Sequence, residues 1–561
     1  MSCGFLDQDP RVIASETFYT SESEVLYGLA GVYGVMNNQA MYGDKYSLSL
    51  SNVDDLCYFN RATTTSYTQI YRHDPSSSEI YDVWSELYEG IKNANAFLEA
   101  VPETGFDVDG KYCNEARFMR AYYHFLLAQA WGHVPLRKSA TKQYNMVMLP
   151  ATPQYEVLKW CIEEMEDCLF LADEGFENSP SRVNKNTMKG IIARVCLFTA
   201  GATVDRNGDS EKLYYKKAMD YTYEVINSHS HQLNPSYKDV FVNMIADQYD
   251  KEYRESMWEV EFRGDRSSAD MWSNGTIGQQ IGLQSTGASN YEKFKCNFSY
   301  ALYNGSLQLW DLYWTKDRTF EEDKLPIVTD TRHEWNMCPY NYSGYSGSLP
   351  LTPYDAVEGD GRVECVRSID KTPYIYNKEN TKDNPIVAVG NRNASKWRRE
   401  IEYEGLKADA GKNQFTSINF PLLRYSDVLL MYAEAYNEYN SAPSAEAFDC
   451  VKAVRDRAGI ATKDYETNYS DYLSFQQFVR NERGRELCFE ALRKYDLIRW
   501  GIFVTEMGKY PAAAGDPRWI MVSSSEYAAA IGAAVMEKHI VLPIPTMELS
   551  VNDLLSQHPL W

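Results

Sequence analysis

Apolar residues return every three or four positions through several long segments of this chain, most regularly in 80–101 and 112–130. This is the period of an amphipathic helix that buries one face. The two segments begin about one tetratricopeptide period apart, roughly 34 residues. A helical pair cannot bury its apolar face alone, so the pattern predicts pairs that stack on one another.

The same period identifies further helices on both sides of an aperiodic stretch from about 230 to 420, where Gly, Asn, Ser and Pro are frequent and aromatic residues are dense. These helices are predicted at 21–37, 153–173, 184–200, 211–228, 422–438, 445–459 and within 475–501. We predict a mainly α fold in which a tetratricopeptide-like scaffold of about four helical pairs carries a large, irregular, loop-rich lobe inserted before the last helices. The expected regions are 1–230 (helical), 231–420 (the aromatic-rich, ligand-binding lobe) and 421–561 (helices that complete the scaffold).

The segment 475–501 carries charges on the helix face that its apolar residues assign to the core. Continuing the apolar stripe places Glu482, Arg485 and Glu486 on that face. Buried charges must be paired, so we predict a buried ion-pair cluster. Five further charged residues lie near enough in the sequence to be partners in this cluster: Arg483, Glu490, Arg493, Asp496 and Arg499.

Glu482, Glu486 and Glu490 could also be interpreted as the catalytic carboxylates of a glycosidase, which needs two acids on opposite sides of a cleft. The surrounding arginines would lower the pKa values of these acids and spoil a general acid, which favours the structural interpretation. The chain has no GxGxxG, P-loop, HExxH or GxSxG motif. We therefore expect no catalysis, no cofactor and no metal site. A structural calcium ion at 205–209 stays an open alternative, although the spacing does not match an EF-hand.

Charge and aromatic content restrict the partners. The chain has 56 Lys+Arg and 78 Asp+Glu, a net charge of −22, which argues against nucleic acid as a partner. Tyrosine outnumbers phenylalanine 43 to 22, which fits either ordinary cores or a surface that stacks on flat ligands. No apolar run approaches the length that spans a bilayer.

Several segments resemble the SusD/RagB family, the nutrient-binding surface lipoproteins of Bacteroidota. They are CGFLDQDP at 3–10, SESEVLYGLAGVYGVMN at 21–37, EARFMRAYYHFLLAQAWGHVPL at 115–136, LLRYSDVLLMYAEAYNE at 422–438, ERGRELCFEALRKYDLIRWG at 482–501 and the closing motif around Leu542-Pro543-Ile544-Pro545. The chain departs from the family at its end, which reads His558-Pro559-Leu560-Trp561 where the family has Asn-Pro-Gly-Trp. We expect this terminus to be a packing strap, so that the change does not affect a ligand.

The resemblance implies a glycan-binding lipoprotein on the outer face of the outer membrane, delivering oligosaccharide or polysaccharide to a SusC-like TonB-dependent transporter without cleaving it. Cys3 would carry the lipid, and Met1-Ser2 ahead of it is expected to stand in place of a signal peptide. Two alternatives stay open: a RagB-like peptide-binding lipoprotein, and, in a different class, a tetratricopeptide adaptor for another protein.

Glycan recognition needs aromatic platforms and a few polar groups, and two loop-like stretches, 51–73 and the lobe segment 272–345, supply both. The resemblance places the family's glycan site in these two regions. The expected ligand-binding residues are Asp54, Asp55, Arg61, Tyr67, Tyr71, Trp272, Tyr291, Trp310, Trp314, Trp335 and Tyr342.

Overall fold

A computed structural model of the chain is mainly α-helical. It describes residues 19–61, 67–141, 148–170, 172, 180–262, 274–285, 297–313, 330–338, 340–341, 363–364, 392–399, 402, 415–460, 462, 468–515 and 523–561. Helix starts follow from local capping. Ser21, for example, accepts a hydrogen bond from the Glu24 backbone amide, and Asn184 accepts one from the Thr187 amide.

The long helices agree with those predicted from the apolar period to within a few residues. The helices are α1 (Glu22–Tyr33), α2 (Ser78–Ala100), α3 (Lys111–Trp131), α4 (Gln154–Cys168), α5 (Lys185–Thr199), α6 (Glu211–Asn227), α7 (Tyr237–Ile245), α8 (Ile277–Gln280), α9 (Leu307–Tyr313), α10 (Thr331–Asn336), α11 (Tyr425–Asn440), α12 (Ala445–Arg457), α13 (Tyr472–Leu487), α14 (Arg493–Arg499), α15 (Phe503–Met507), α16 (Tyr510–Ala514), α17 (Ser523–Ala534) and α18 (Thr546–Val551).

The first six helices pack in chain order, each against the next, as a stack of antiparallel neighbours does. The stack then continues across the lobe: α6 packs directly against α11, and α11 packs against both α12 and α13. The predicted tetratricopeptide-like scaffold, interrupted by the lobe before its last helices, is confirmed.

The lobe contains only short elements in its described part, the longest being the nine-residue helix α7. Its strands form two-stranded antiparallel pairs, of which β1–β3 joins the lobe to the N-terminal region and β2–β6 closes the lobe onto the start of α11. The strands are β1 (Cys57–Phe59), β2 (Ser256–Val260), β3 (Tyr303–Gly305), β4 (Tyr340–Asn341), β5 (Val363–Glu364) and β6 (Phe420–Arg424).

The segment 475–501 is two helices, where the apolar stripe had indicated one. Helix α13 ends at Leu487, and α14 begins at Arg493. Between them Phe489 (φ 66°) and Ala491 (φ 58°) adopt the left-handed conformation, which costs an L-residue about 1–2 kcal/mol each. Both residues are buried, so the surrounding core maintains the break.

The predicted ion-pair cluster is present on the core-facing side of α13. Glu482 lies 2.7 Å from Arg332 and 2.9 Å from Arg455, and Glu486 lies 2.9 Å from Arg424. All five side chains are buried. The arginines that face the two glutamates come mostly from other elements: Arg332 (α10), Arg424 (β6), and Arg455 and Arg457 (α12).

The break after α13 turns Glu490 toward the lobe, where it pairs with Arg424 at 2.8 Å and Lys396 at 2.7 Å. On the scaffold side, Arg483 pairs with Asp427 (2.7 Å) and Asp496 (2.8 Å). The three glutamates of the apparent glycosidase set are therefore structural partners of basic side chains, as the ion-pair interpretation predicted.

The C-terminal segment is a strap across the first helical pairs, as predicted. The Leu542 amide donates to the Ala130 carbonyl (2.7 Å), the Trp131 indole donates to the Pro543 carbonyl (3.0 Å), and the Thr546 amide donates to the Pro75 carbonyl (2.8 Å). None of the described helices combines the length and apolar character needed to cross a membrane.

We predict that Glu486→Gln lowers the free energy of unfolding by about 3–5 kcal/mol, because removal of one carboxylate leaves buried guanidinium groups without full compensation. Denaturant unfolding measures this. Asp220→Asn, which disrupts the exposed Lys216–Asp220 pair, is the matched control and should leave the midpoint unchanged. Equal effects of the two substitutions would contradict the structural weight given to the cluster.

A second prediction concerns acid. Burial alone would raise the pKa values of Glu482, Glu434 and Asp427, but facing guanidinium groups outweigh it and lower each pKa to about 2, from ordinary values of 4.5, 4.5 and 3.8. The unfolded chain therefore takes up these protons at a higher pH than the folded chain does. Their contribution is complete above pH 4.5 and is lost as the pH falls toward 2. Unfolding midpoints measured between pH 7 and 2 should drop mainly below pH 4.5; a flat profile there would refute this.

Candidate functional site

The two stretches predicted to form the ligand site meet in the structure. Strand β1 pairs with β3 of the lobe, with Cys57 opposite Gly305 and Phe59 opposite Tyr303. Just past β1, the Asn60 amide donates to the Leu302 carbonyl (2.8 Å) and its side-chain nitrogen donates to the Ala301 carbonyl (3.0 Å). A loop of the helical scaffold is thereby fixed to the lobe.

Side chains with access to solvent lie at this junction. Arg61 donates from Nη2 to the Tyr300 carbonyl (3.2 Å), so the guanidinium lies against the backbone of Tyr300. Tyr300 is 44% exposed, and its ring packs edge-on against Phe298 with centroids 4.6 Å apart. Tyr67, which follows Arg61 by six residues in the sequence, is 47% exposed. We call Arg61, Tyr67 and Tyr300 the rim.

The rim can bind a ring that has a flat apolar face and polar groups at its edge. An exposed tyrosine offers a flat apolar face and a hydroxyl, and a guanidinium offers several donors in a fixed plane. Arg61 and Tyr67 were predicted as ligand residues. Tyr300 was not selected from the many aromatic residues of the lobe, because the sequence gives no signal for which of them is exposed.

Asp54 and Asp55 are structural in this fold, and this corrects their prediction as ligand residues. Asp54 accepts backbone hydrogen bonds from Leu56 (2.8 Å) and Cys57 (3.1 Å), and burial together with the neighbouring Asp55 raises its pKa. Asp55 is buried in a bidentate pair with Arg493, both contacts measuring 2.8 Å. Neither carboxylate faces solvent: Asp54 holds the turn that begins β1, and Asp55 connects this turn to α14 through Arg493.

Tyr71, Trp310 and Trp335 are also buried, which corrects their prediction as ligand platforms. The Tyr71 hydroxyl donates to the Val53 carbonyl. The guanidinium carbon of Arg392 lies 4.7 Å from the Trp310 ring centroid, and that of Arg398 lies 4.2 Å from the Trp335 ring. The large apolar area of these rings places them in the core. Trp272, Tyr291, Trp314 and Tyr342, and Cys3 as the lipidation residue, lie outside the described residues.

The turn at 205–209 is held by an arginine at its centre. Arg206 donates from Nη1 to the carbonyls of Ala200 (3.1 Å), Gly201 (2.9 Å) and Val204 (3.2 Å). Its positive charge thus lies against the carbonyls of the residues that precede the turn. Among the described residues, no group of three or more His, Cys, Asp or Glu side chains is arranged to hold a metal ion.

Fold and rim together define a class: a helical-repeat scaffold that holds an irregular lobe and presents a binding surface at their junction. The sequence model of the SusD family matches residues 254–561, more than half of the chain. A second model, described as "Starch-binding associating with outer membrane", matches residues 4–197. The chain belongs to the SusD family.

Relatives and solved structures agree with this assignment. The chain is 25% identical to SusD-like protein P25 of Formosa agariphila, over 98% of this chain and 94% of that protein. Its fold is similar to the crystal structure of a SusD homolog from Bacteroides thetaiotaomicron (TM-score 0.78, 22% identity, 98% of each chain). It is also similar to surface glycan-binding protein A from Bacteroides uniformis (TM-score 0.66, 18% identity, 96% of this chain and 100% of that one).

Proposed function

We propose that this protein is a glycan-binding lipoprotein of the cell surface that captures oligosaccharide or polysaccharide at the rim and does not cleave it. The observation that carries the proposal is the junction itself: β1–β3 pairing between scaffold and lobe brings Arg61 to the backbone of the half-exposed Tyr300, and the half-exposed Tyr67 follows Arg61 by six residues in the sequence. Stacking of an apolar sugar face on tyrosine and hydrogen bonding of hydroxyls to arginine are the interactions such a surface makes.

Family membership supports the same ligand class. The family model that matches residues 4–197 is described as starch-binding and associating with the outer membrane, and one structural relative is a surface glycan-binding protein. We further propose that this chain lies at the outer face of the outer membrane, with Cys3 lipidated, and delivers its ligand to a SusC-like TonB-dependent transporter.

The state of the buried acids of α13 supports a role without catalysis. The glutamates that resemble a glycosidase set form ion pairs with arginines, and these arginines lower the pKa of Glu482 to about 2. An acid with so low a pKa is ionised at neutral pH and does not donate a proton to a leaving group.

The first test is affinity electrophoresis of the purified chain through gels that contain starch, xylan, pectin, mannan or mucin glycans. We expect one polysaccharide to retard the chain with no increase in its reducing ends. Tyr67→Ala and Tyr300→Ala should each weaken binding to that polysaccharide about tenfold, the loss of roughly 1.4 kcal/mol of stacking.

Tyr27→Ala is the matched control, since Tyr27 is 69% exposed on α1 and lies outside the rim. It should bind as the parent chain does. Retardation by none of the polysaccharides would refute the proposal and favour peptide cargo; reducing-end release would show an enzyme.

Location and partner are tested on protein from native membranes. We expect peptide mass spectrometry to find an acylated Cys3, and mild detergent extraction to recover the chain together with a TonB-dependent transporter. An unmodified Cys3 would refute lipid anchoring, and a chain recovered without any transporter would refute the delivery step.

A further inference from the structure

The C-terminal strap, residues 537–561, covers two buried histidines that have no part in the rim. His73 lies in the segment that precedes α2, and His539 belongs to the strap itself. Their ring centroids are 5.2 Å apart, and the Trp561 ring lies 5.3 Å from His73 and 5.6 Å from His539. The two histidines are 4% and 1% exposed. Groups that can change charge near neutral pH are therefore enclosed where the strap meets the first helical pairs.

The two imidazoles lack most of the hydrogen bonds that buried polar groups usually form. Both ring nitrogens of His73 and Nε2 of His539 are buried without a hydrogen-bond partner among the described residues. Nδ1 of His539 accepts the backbone N–H of Met536 at 2.9 Å, so the neutral ring carries its proton on Nε2. A second proton would have to occupy Nδ1, where it would meet the Met536 N–H. The docked strap therefore accommodates an uncharged His539.

The charged groups nearest to the histidine pair are basic. Lys494, on α14, is buried close to both rings, and the Nζ of Lys538, the residue before His539, lies 4.0 Å from the Trp561 ring centroid. Burial, followed by Lys494 and Lys538, lowers the pKa of His539 to about 3. Burial, again followed by Lys494, lowers the pKa of His73 as well. A proton on either ring would add a buried positive charge to a region whose nearest charges are also positive.

The other titratable groups packed around the pair do not compensate for such a charge. Asp74 is exposed and forms hydrogen bonds within its own turn, and Asp54 accepts the backbone amides at the start of β1. Glu506, on α15, which packs against 537–540, pairs with Lys509 at 2.5 Å. The ring of Tyr71 packs against both imidazoles, with its hydroxyl donated to a backbone carbonyl. Among the described residues, no carboxylate forms an ion pair with either histidine.

We propose that the strap is an acid-sensitive latch, which stays docked on the first helical pairs while His73 and His539 are neutral and is released when they bind protons. Release exposes both rings to water, where an ordinary imidazole binds a proton at about pH 6.5. The docked form is therefore fully favoured above about pH 6.5 and progressively less favoured below it. This range lies above the one in which the carboxylates of the α13 cluster are protonated, so the rest of the stack stays folded as the latch opens.

Hydrogen exchange of individual amides in the full chain tests this, with rates corrected for the intrinsic effect of pH. The Leu542 amide, bound to the Ala130 carbonyl, and the Thr546 amide, bound to the Pro75 carbonyl, report docking of the strap. One pH unit below 6.5 shifts the opening equilibrium about tenfold for each histidine. We expect the protection of both amides to fall about hundredfold between pH 7.5 and 5.5, while the amides of α5 keep theirs.

Substitutions at the pair separate the latch from a general effect of acid. His73→Phe keeps an aromatic ring without a titrating group, and His539→Asn keeps an acceptor for the Met536 amide. Each should reduce the hundredfold loss of protection to about tenfold, and the double variant should show none. His229→Asn is the matched control, because it removes an exposed histidine whose φ of 50° asparagine tolerates, and it should keep the hundredfold loss.

Unchanged protection of Leu542 and Thr546 between pH 7.5 and 5.5 in the parent chain would overturn the proposal without any variant. So would the same loss in the double variant, which would assign the acid response to other groups, or an equal loss in α5, which would mean unfolding of the whole stack. These outcomes do not depend on glycan binding, because the latch contains no rim residue.

Discussion

The buried charges of α13 are the interaction on which the arrangement of this molecule depends. Glu482 and Glu486 project from one side of the helix to arginines of the lobe and of α12, while Arg483 projects from another side to α11 and α14. Helix α13 thus connects the helical scaffold to the lobe through its charged side chains. Gly484 permits α13 to pack closely against α9, since a Cβ atom at this position would lie 2.9 Å from the side chain of Leu312.

Such a cluster constrains geometry more than it adds stability. Hydrophobic contacts tolerate sliding, whereas a buried guanidinium that loses its carboxylate is left without compensation. The lobe, whose described elements are short, is therefore restricted to one docking position. That position brings β3 to β1 and places Tyr300 beside Arg61, so the rim is a consequence of charges that lie in the core and contact no ligand.

Much of the scaffold could be predicted from the chain because amphipathic periods and capping residues are local signals. The existence of a buried charge cluster was predictable too, since Glu482 and Glu486 fall on an apolar stripe. Its partners were not: Arg332 lies 150 residues from Glu482, and no local pattern reports such a pairing. The break at Phe489 and Ala491 was missed because apolar spacing carries no information on the sign of φ.

The ligand residues were harder to predict for the same reason. From the sequence alone, Asp55 is expected to be an exposed acid in a polar loop. In the structure it pairs with Arg493, which lies 438 positions away along the chain. Exposure, which separates Tyr67 and Tyr300 from Tyr71, is a property of tertiary packing.

The C-terminal strap has a consequence for how the chain reaches its native state. The last twenty or so residues supply backbone partners to Ala130 and Pro75, and Trp561 lies over His73 and His539 with ring centroids 5.3 and 5.6 Å apart from theirs. The opening pairs of the stack thus remain unfinished until the final residues arrive. Because these partners lie more than 400 residues later in the sequence, packing of the first helical pairs is completed by contacts that span nearly the whole described chain.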